Sequence, residues 1–338
     1  MSQNVLLIYT GGTIGMQASD KGYVPMSGFE DVIRSRLAHS HHSALPDFEM
    51  IELNPLIDSA NLEPSHWNKI ADLIIQNYQQ YDGFIVLHGT DTMAYSASML
   101  SFMLQGINKP VIFTGSQIPL SELRNDALDN LITSMILAAF HPVNEISIYF
   151  SGRLLRGNRA SKVKATGLDA FDSPNFPWLG QIGLHIELHN RLFIPSEKEN
   201  FISPTFDPNA VSILPIYPGI CGQLASSILE SEGLKAIILR SYGVGNLPDN
   251  NKALLSALRK AHENGIVIIN ISQCLQADIL QGQYACSEAL NEIGVISGGE
   301  MTLEAAFCKL HYLLANKLSV DDIRKQFPNS LCGEIDTD

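Results

Sequence analysis

The segment VLLIYTGGTIG, residues 5–15, decides how the chain begins to fold. Its first half, Val5–Tyr9, is a run of five apolar residues, which suits a buried strand and is too short to span a membrane. Its second half, Thr10–Gly15, is a turn built from three glycines, two threonines and an isoleucine. Because ligands bind beyond the carboxyl ends of parallel strands, we predict that this turn forms part of a functional site.

The first half of the chain alternates apolar runs with helical patterns. The predicted strands are Val5–Tyr9, Phe48–Leu53, Phe84–Leu87, Val111–Phe113 and Ile146–Phe150. The predicted helices are Phe29–Leu37, Pro64–Tyr78, Thr92–Leu104 and Asp126–Ala139. Strands that are apolar throughout and separated by helices indicate a parallel sheet covered on both faces.

This alternation stops at residues 190–209, which contain three prolines and no sustained period. Smaller units follow: strands Val211–Leu214, Ala236–Leu239 and Ile266–Ile271, and helices Gly222–Glu230, Asp249–Asn264, Met301–Leu314 and Val320–Gln326. We therefore predict an α/β protein with a larger N-terminal parallel-sheet domain flanked by helices, at 1–190. A linker at 191–210 leads to a smaller C-terminal α/β domain at 211–338.

The amino-acid composition and the amino terminus indicate which binding partners and which cellular compartment to expect. The formal net charge of −13 disfavours nucleic acid and anionic membranes as partners. The amino terminus lacks the basic start and cleavage site of a signal peptide, so we expect a cytoplasmic protein. Reduced thiols are expected as well, because no C-x-x-C pair occurs among the cysteines Cys221, Cys274, Cys286, Cys308 and Cys332.

A small histidine cluster, His39, His41 and His42, is the one sequence feature that raises the question of a metal. It has neither an H-E-x-x-H pattern nor cysteine partners. We interpret it as a solvated loop and expect no metal site.

Hydroxyls and glycines recur at the ends of three predicted strands: Thr10–Gly15, His88–Thr92 and Thr114–Gln117. The carboxyl ends of parallel strands meet at one edge of the sheet. We therefore expect these turns to form one site.

Thr13 is the candidate nucleophile in the first turn. The two glycines before it allow a sharp turn that exposes backbone N–H groups, which can stabilise an oxyanion. The alternatives are an ordinary strand–turn–helix connection or a loop that cradles phosphate. Neither G-x-G-x-x-G nor G-x-x-x-x-G-K-[ST] fits the segment, and no G-x-S-x-G elbow is present.

A threonine nucleophile needs a base or a polarising network. Thr90 and Asp91 lie in the second turn, and Lys162 could accept a proton through Thr90. The alternatives are that Lys162 is an ordinary surface lysine and that Asp91 is a helix N-cap.

Two further turns carry side chains of interest. Tyr23 follows Gly22 in a glycine-punctuated segment that could close over a substrate, or it could only anchor a surface loop. Asn246 ends the turn 240–246, which could present it to a ligand or serve as a turn alone.

These motifs together resemble the bacterial-type asparaginases. The resemblance rests on Tyr9–Gly15 and His88–Met93, and it continues through Gly22-Tyr23, Asp58-Ser59, Thr114–Gln117, Gly157–Arg159 with Lys162, and Arg240–Gly243. It covers nearly the whole chain. In having no leader and no cysteine in the first domain, the sequence resembles the cytosolic type I members of the family.

The resemblance implies hydrolysis of L-asparagine to L-aspartate and ammonia without a cofactor. In that scheme Thr13 is the nucleophile and Tyr23 orients it. Thr90, Asp91 and Lys162 form a second triad that activates either Thr13 or water. Asp58, Ser59 and Asp91 hold the α-amino and α-carboxylate groups of the substrate. Backbone N–H groups near Thr90, Ala60 or Gly12 bind the scissile carbonyl oxygen.

The resemblance also implies assembly and regulation. Family members form tetramers built from tight dimers, and Asn246 is the candidate that completes a neighbouring site. Type I members can carry a second asparagine site, which would correspond here to Ser161, Arg240 and Cys274. Relatives often have threonine where Ser161 stands. They also often have Ser-Asp-Met where this chain has 60–62, Ala-Asn-Leu.

Two other functions use the same scaffold. One is the ammonia-supplying amidase subunit of tRNA-dependent transamidation, and the acidic composition argues against its tRNA partner. The other is a non-enzymatic amino-acid sensor, which predicts the loss of a catalytic residue, although Thr13, Thr90 and Lys162 are all present.

Overall fold

The computed structural model describes residues 3–20, 22–38, 45–195, 198–280 and 285–336, with backbone only at 285–287. The chain folds as two compact units, 1–203 and 204–338. The predicted α/β fold class, with a larger parallel-dominated first sheet, is confirmed. The predicted linker at 191–210 stays a prediction. The histidine cluster at 39–42 lies outside the described residues.

The first unit contains fourteen strands and four helices within its described part. The strands are β1 Asn4–Tyr9, β2 Met16–Ser19, β3 Gly22–Pro25, β4 Asp47–Glu52, β5 Gly83–Leu87, β6 Leu104–Gln105, β7 Val111–Thr114, β8 Ile146–Phe150, β9 Arg153–Arg156, β10 Ser161–Lys162, β11 Phe171–Asp172, β12 Gly180–Ile182, β13 Ile186–Leu188 and β14 Asn200–Phe201. The helices are α1 Phe29–Ala38, α2 Pro64–Asn77, α3 Met93–Met103 and α4 Ala127–Phe140. Every strand and helix predicted for residues 1–150 is present, with ends that differ by a residue or so.

The main sheet of this unit has eight strands in the order β13-β12-β9-β8-β7-β5-β1-β4. The five strands from β8 to β4 are parallel, which places their carboxyl ends along one edge. The three strands β9, β12 and β13 add antiparallel pairs beyond β8. These three strands were not predicted because each pairing covers only two to four residues, and β12 and β13 also carry exposed positions.

The central strands are buried because both faces of the sheet are covered. All five residues of β5 and of β8 are buried, and so are residues 5–9 of β1. Burying such aliphatic side chains contributes about 1.5–3 kcal/mol each, which makes this core a rigid support for the turns that follow the strands.

The second unit is a smaller parallel sheet with helices. Its strands are β15 Val211–Pro215, β16 Ala236–Ser241, β17 Val267–Ser272 and β18 Ile296–Ser297, paired in that order. Its helices are α5 Gly222–Leu229, α6 Lys252–Glu263, α7 Ala285–Ile293, α8 Leu303–Ala315 and α9 Val320–Gln326. The predicted elements are present, whereas α7 and β18 are additions. The side chains of Asn251, Thr302 and Ser319 cap α6, α8 and α9.

Two segments without a predicted element form short pairings. The glycine-punctuated segment is a hairpin of β2 and β3, and β14 pairs with β6.

Among the described residues, no helix is long and apolar enough to cross a membrane. Within the same ranges, no group of three or more histidine, cysteine, aspartate or glutamate side chains is arranged to hold a metal ion.

Candidate active site

The turn after β1 brings Thr13 to the carboxyl edge of the sheet. Gly11 and Gly12 have φ angles of 122° and 90°, which favour glycine. A Cβ atom on Gly11 would lie 2.3 Å from the Ile57 carbonyl oxygen, so a side chain cannot be accommodated there. Thr13 begins a 3₁₀ turn and is half-buried. Its hydroxyl has no hydrogen-bond partner among the described residues and is therefore available to a ligand.

The turns after β1 and β5 and the side chain of Ser59 meet here because glycines allow a close approach. A Cβ atom on Gly12 would lie 2.5 Å from the Gly89 Cα atom. One on Gly89 would lie 2.4 Å from the Ser59 Oγ atom. The turn that carries Thr13 is therefore packed against the turn that carries Thr90, as the recurrence of glycines at strand ends predicts.

Lys162 lies beside the second turn. Its Nζ atom donates hydrogen bonds to Thr90 Oγ1 at 2.8 Å and to Asp91 Oδ1 at 2.7 Å. The Lys162 side chain is 20% exposed, and β10 holds it in place by antiparallel pairing with β11. This environment differs from that of an ordinary surface lysine, since an amine, a hydroxyl and a carboxylate are in direct contact.

Asp91 does not act as a helix N-cap. The N-cap residue of α3 is Thr92, and its hydroxyl donates to the Ser59 carbonyl oxygen at 2.8 Å rather than capping the helix. The Asp91 carboxylate is 60% exposed and accepts the Lys162 hydrogen bond. It is therefore open to a charged ligand as well.

The Asp58–Ala60 segment forms the third wall. The Asp58 carboxylate accepts from the Ala60 N–H and from Asn61 Nδ2, both at 3.2 Å. Ser59 is buried against Gly89, whereas Asp58 and Ala60 are exposed. Because the Ala60 N–H is already bonded to Asp58, it is a poorer candidate for the oxyanion donor than the other predicted groups.

Tyr23 contacts Glu122 in this structure. The Tyr23 phenol is 52% exposed and donates to Glu122 Oε1 at 3.1 Å. This hydrogen bond raises the pKa of the Tyr23 phenol. Among the described residues there is no hydrogen bond between Tyr23 and Thr13, so the predicted orienting contact is not made here.

Gln117 is a site residue to which the sequence analysis assigned no role. The Thr90 hydroxyl donates to Gln117 Oε1 at 3.4 Å, and Gln117 Nε2 donates to the carbonyl oxygens of Ala165 and Gly167 at 3.0 Å. The Asp126 carboxylate accepts from the Gln117 N–H at 3.0 Å. The glycine-and-hydroxyl pattern at the third strand end was the available signal for Gln117, whereas Asp126 was predicted only as the start of a helix.

His88 is a second site residue without a predicted role. It is 2% exposed, with Nδ1 at 2.7 Å from the Gly89 carbonyl oxygen and Nε2 at 2.9 Å from Ser96 Oγ. Burial lowers the pKa of His88 to about 4, so the imidazole is neutral at neutral pH.

The residues predicted for regulation and for the trans contribution lie in different units. Ser161 is buried in β10 of the first unit. In the second unit, Arg240 Nη2 donates to the Gln273 carbonyl oxygen at 3.2 Å, next to the exposed Cys274. Asn246 closes a turn by exchanging backbone hydrogen bonds with Tyr242 at 2.8 and 2.9 Å.

Comparisons with known proteins identify the family. Residues 4–193 match the family described as asparaginase, N-terminal, and residues 210–327 match the glutaminase/asparaginase C-terminal domain. L-asparaginase 1 of Escherichia coli (strain K12) is 46% identical over 336 residues, which cover 99% of each chain. The crystal structure of L-asparaginase I from Vibrio cholerae has a TM-score of 0.90 and 42% identity, covering 100% of each chain.

A more distant relative bears on the transamidation alternative. A glutamyl-tRNA(Gln) amidotransferase protein of Methanobrevibacter smithii is 29% identical over 98% of this chain and 77% of that protein. The identity to the Escherichia coli protein is much higher and extends over both chains. The predicted family resemblance is confirmed, and the chain belongs to the asparaginase family.

Proposed function

We propose that this protein is an L-asparaginase, an amidohydrolase that converts L-asparagine to L-aspartate and ammonia. The observation that carries the proposal is the contact of Lys162 with Thr90 and Asp91, packed through Gly89 and Gly12 against the turn of Thr13. The identity to L-asparaginase 1 over nearly the full length supports the same activity.

In the proposed reaction, Thr13 Oγ1 attacks the side-chain amide carbon of asparagine. The Thr13 proton leaves through the neighbouring network, and the amide nitrogen departs as ammonia after it is protonated. Water then hydrolyses the ester, which releases aspartate and restores the Thr13 hydroxyl. The Thr90–Lys162 pair activates either Thr13 or the water, and both routes fit a hydroxyl held by an amine.

The charges around the site suit an amino acid. Asp58 and Asp91 are exposed carboxylates that can pair with the α-amino group, and the adjoining Ser59 hydroxyl can bind the α-carboxylate. Gly12 and Thr90 supply backbone N–H groups to the scissile carbonyl oxygen. Tyr23 would have to leave Glu122 to reach Thr13, which gives the β2–β3 hairpin a closing role. No cofactor or metal is part of this scheme.

We extend the proposal to assembly, regulation and compartment. The family resemblance supports a cytoplasmic homotetramer in which Asn246 completes a neighbouring site. It also supports an activating asparagine site at Ser161, Arg240 and Cys274. A sigmoidal dependence of rate on asparagine concentration would favour that second site, and a hyperbolic one would contradict it.

The transamidation and sensor alternatives are weaker. The net charge of −13 opposes a tRNA partner. A sensor would not need a threonine, a lysine and an aspartate in direct contact, next to a second threonine whose hydroxyl has no partner in the described part of the chain.

Ammonia release over a range of asparagine and glutamine concentrations tests the proposal. We expect turnover with asparagine that Thr13→Ala abolishes, while circular dichroism and the melting temperature stay near those of the wild type. Thr13→Ser is the matched control because it keeps a hydroxyl nucleophile, and it should retain measurable turnover. Substantial turnover by Thr13→Ala would exclude Thr13 as the nucleophile.

A further inference from the structure

His88 is a buried titratable side chain that the proposed reaction does not use. It follows β5 directly and packs near the Phe113 ring, with ring centroids 5.9 Å apart. A carbonyl oxygen can only accept, so Nδ1 must carry the proton that is shared with the Gly89 oxygen. In the neutral imidazole, Nε2 is then an acceptor for the Ser96 hydroxyl. The hydrogen bonds therefore select one tautomer.

The His88 hydrogen bond fixes the orientation of one peptide group. The Gly89 carbonyl and the Thr90 N–H belong to the same trans peptide, so they point in opposite directions. Because the Gly89 oxygen points at the buried His88 ring, the Thr90 N–H points away from it. Among the described residues, the Thr90 N–H has no hydrogen-bond partner.

The Gly89 Cα atom, at which this peptide begins, lies against the turn of the proposed nucleophile. A Cβ atom on Gly12 would lie 2.5 Å from both the Gly89 N and Cα atoms. A Cβ atom on Gly89 would collide with Ser59, so Gly89 is packed on two sides. The Thr90 N–H follows Gly89 directly, and Gly89 packs against Gly12, the residue before Thr13. A developing oxyanion requires such an available N–H donor.

We infer that His88 is a positioning residue that aims the Thr90 N–H at the oxyanion by holding the Gly89 carbonyl on the opposite side. The inference rests on the proposed function and adds a residue to it. Without the His88 donor, the Gly89 carbonyl loses its hydrogen bond, so the Thr90 N–H is misaligned for part of the time although Gly89 stays packed. Loss of one such donor reduces kcat by about 10²–10³-fold, and substrate binding changes less because the charge develops only in the transition state.

Two substitutions separate positioning from packing. The amide nitrogen of asparagine can occupy the place of histidine Nδ1, whereas the longer glutamine side chain places its nitrogen near that of Nε2. We expect His88→Gln to lower kcat about 10²-fold with KM within about threefold of the wild type. His88→Asn should retain kcat within about tenfold of the wild type, because the bond to the Gly89 oxygen is preserved. Equal losses in the two variants would overturn the inference.

A measurement on the unmodified protein keeps the test independent of variant folding and of asparaginase activity. The ¹⁵N spectrum of histidine-labelled protein should show His88 protonated at Nδ1 and unprotonated at Nε2 at neutral pH. His66 of α2 is the other titratable side chain that acts on His88, and it too disfavours the charged form. A His88 proton on Nε2 instead would refute the inference, whereas absence of ammonia release from the wild type would refute the proposed function.

Discussion

A lysine–carboxylate pair in the first unit, Lys162–Asp91, and one in the second, Lys309–Glu334, have opposite environments. In the first unit, Lys162 and Asp91 are 20% and 60% exposed, and the lysine also contacts the Thr90 hydroxyl. In the second unit, Lys309 and Glu334 are both 0% exposed. Lys309 further donates to the Asn329 carbonyl oxygen at 2.6 Å.

The difference separates a pair that is suited to chemistry from one that is suited to folding. Glu334 also accepts from the N–H groups of Leu331 and Cys332, so its charge is satisfied from several directions and sealed from water. Such a pair fixes the carboxyl-terminal segment to α8 but can exchange no proton with a ligand. The open pair contributes little to stability, because solvent screens it, and it leaves Asp91 accessible to a substrate.

The largest expected effect is on catalysis, at the solvent-exposed pair Lys162–Asp91, which we call the open pair. We predict that Lys162→Met lowers kcat/KM for asparagine by on the order of 10⁴-fold, because general acid–base participation is lost. The free energy of unfolding should change by less than about 1 kcal/mol. Steady-state ammonia release and urea denaturation measure the two quantities.

Lys164→Met is the matched control for this prediction. Lys164 pairs with Asp169 on the same hairpin and is 50% exposed, but it does not contact Thr90. Its activity should stay within about threefold of the wild type, since only a screened surface pair is removed. A similar loss in both variants would mean that the hairpin, rather than the Lys162 amine, is what activity requires.

The second-largest expected effect is on stability, at the buried pair Lys309–Glu334, which we call the sealed pair. We predict that Lys309→Met lowers the free energy of unfolding by about 3–5 kcal/mol, because it leaves the Glu334 charge buried without its partner. Urea denaturation of Lys260→Met provides the control. Lys260 pairs with Glu230 at 2.6 Å, but both side chains are about half exposed, so its removal should cost less than about 1 kcal/mol. Equal costs would remove the distinction between sealed and open pairs.

The smallest expected effect is a pH dependence that both units share. Burial lowers the pKa of His88 in the first unit and of His311 in the second to about 4, from a usual value of 6.5. Between these values the unfolded chain binds protons that the folded chain does not, so stability falls as the pH drops from 6.5 to 4. Above pH 6.5 these two groups contribute no slope. Each histidine accounts for up to about 3 kcal/mol over the window.

Urea denaturation at several pH values between 4 and 8 measures this loss. His311→Gln should make the decline between pH 6.5 and 4 shallower, and it should leave the slope between pH 7 and 8 unchanged. A decline of the same steepness in the variant would show that His311 is not held neutral in the folded state.

The sequence predicted much of the fold because its strongest signals are local. The apolar run Val5–Tyr9 and the helix Pro64–Asn77 carry a period and end signals that need no distant partner. The antiparallel edge strands escaped prediction for the opposite reason. The strands β12 and β13 are three residues each with exposed positions, so only their pairing with each other and that of β12 with β9 define them.

The residues of the candidate site also fall into those that the sequence predicted and those that it did not. Thr13, Thr90 and Lys162 were predicted from turns and a family resemblance, and their roles remain proposals. His88, Gln117 and Asp126 were not assigned roles, because their contacts depend on how the turns pack and not on a local sequence pattern. No local sequence pattern predicts that the His88 ring will donate a hydrogen bond to the carbonyl of the next residue. None predicts that Gln117 will connect Thr90 to the 165–167 loop by hydrogen bonds.

The sequence by itself determined the alternating elements, the glycines at the strand ends and the hydroxyls that follow them, because backbone propensity and hydrophobic period act over a few residues. Only the tertiary structure decided that Gly12 touches Gly89 and that the Lys162 amine reaches Thr90. It also decided that one lysine–carboxylate pair is open and the other sealed. Burial and contact depend on what the packed sheet places around a residue, and that is set by the whole fold rather than by neighbours along the chain.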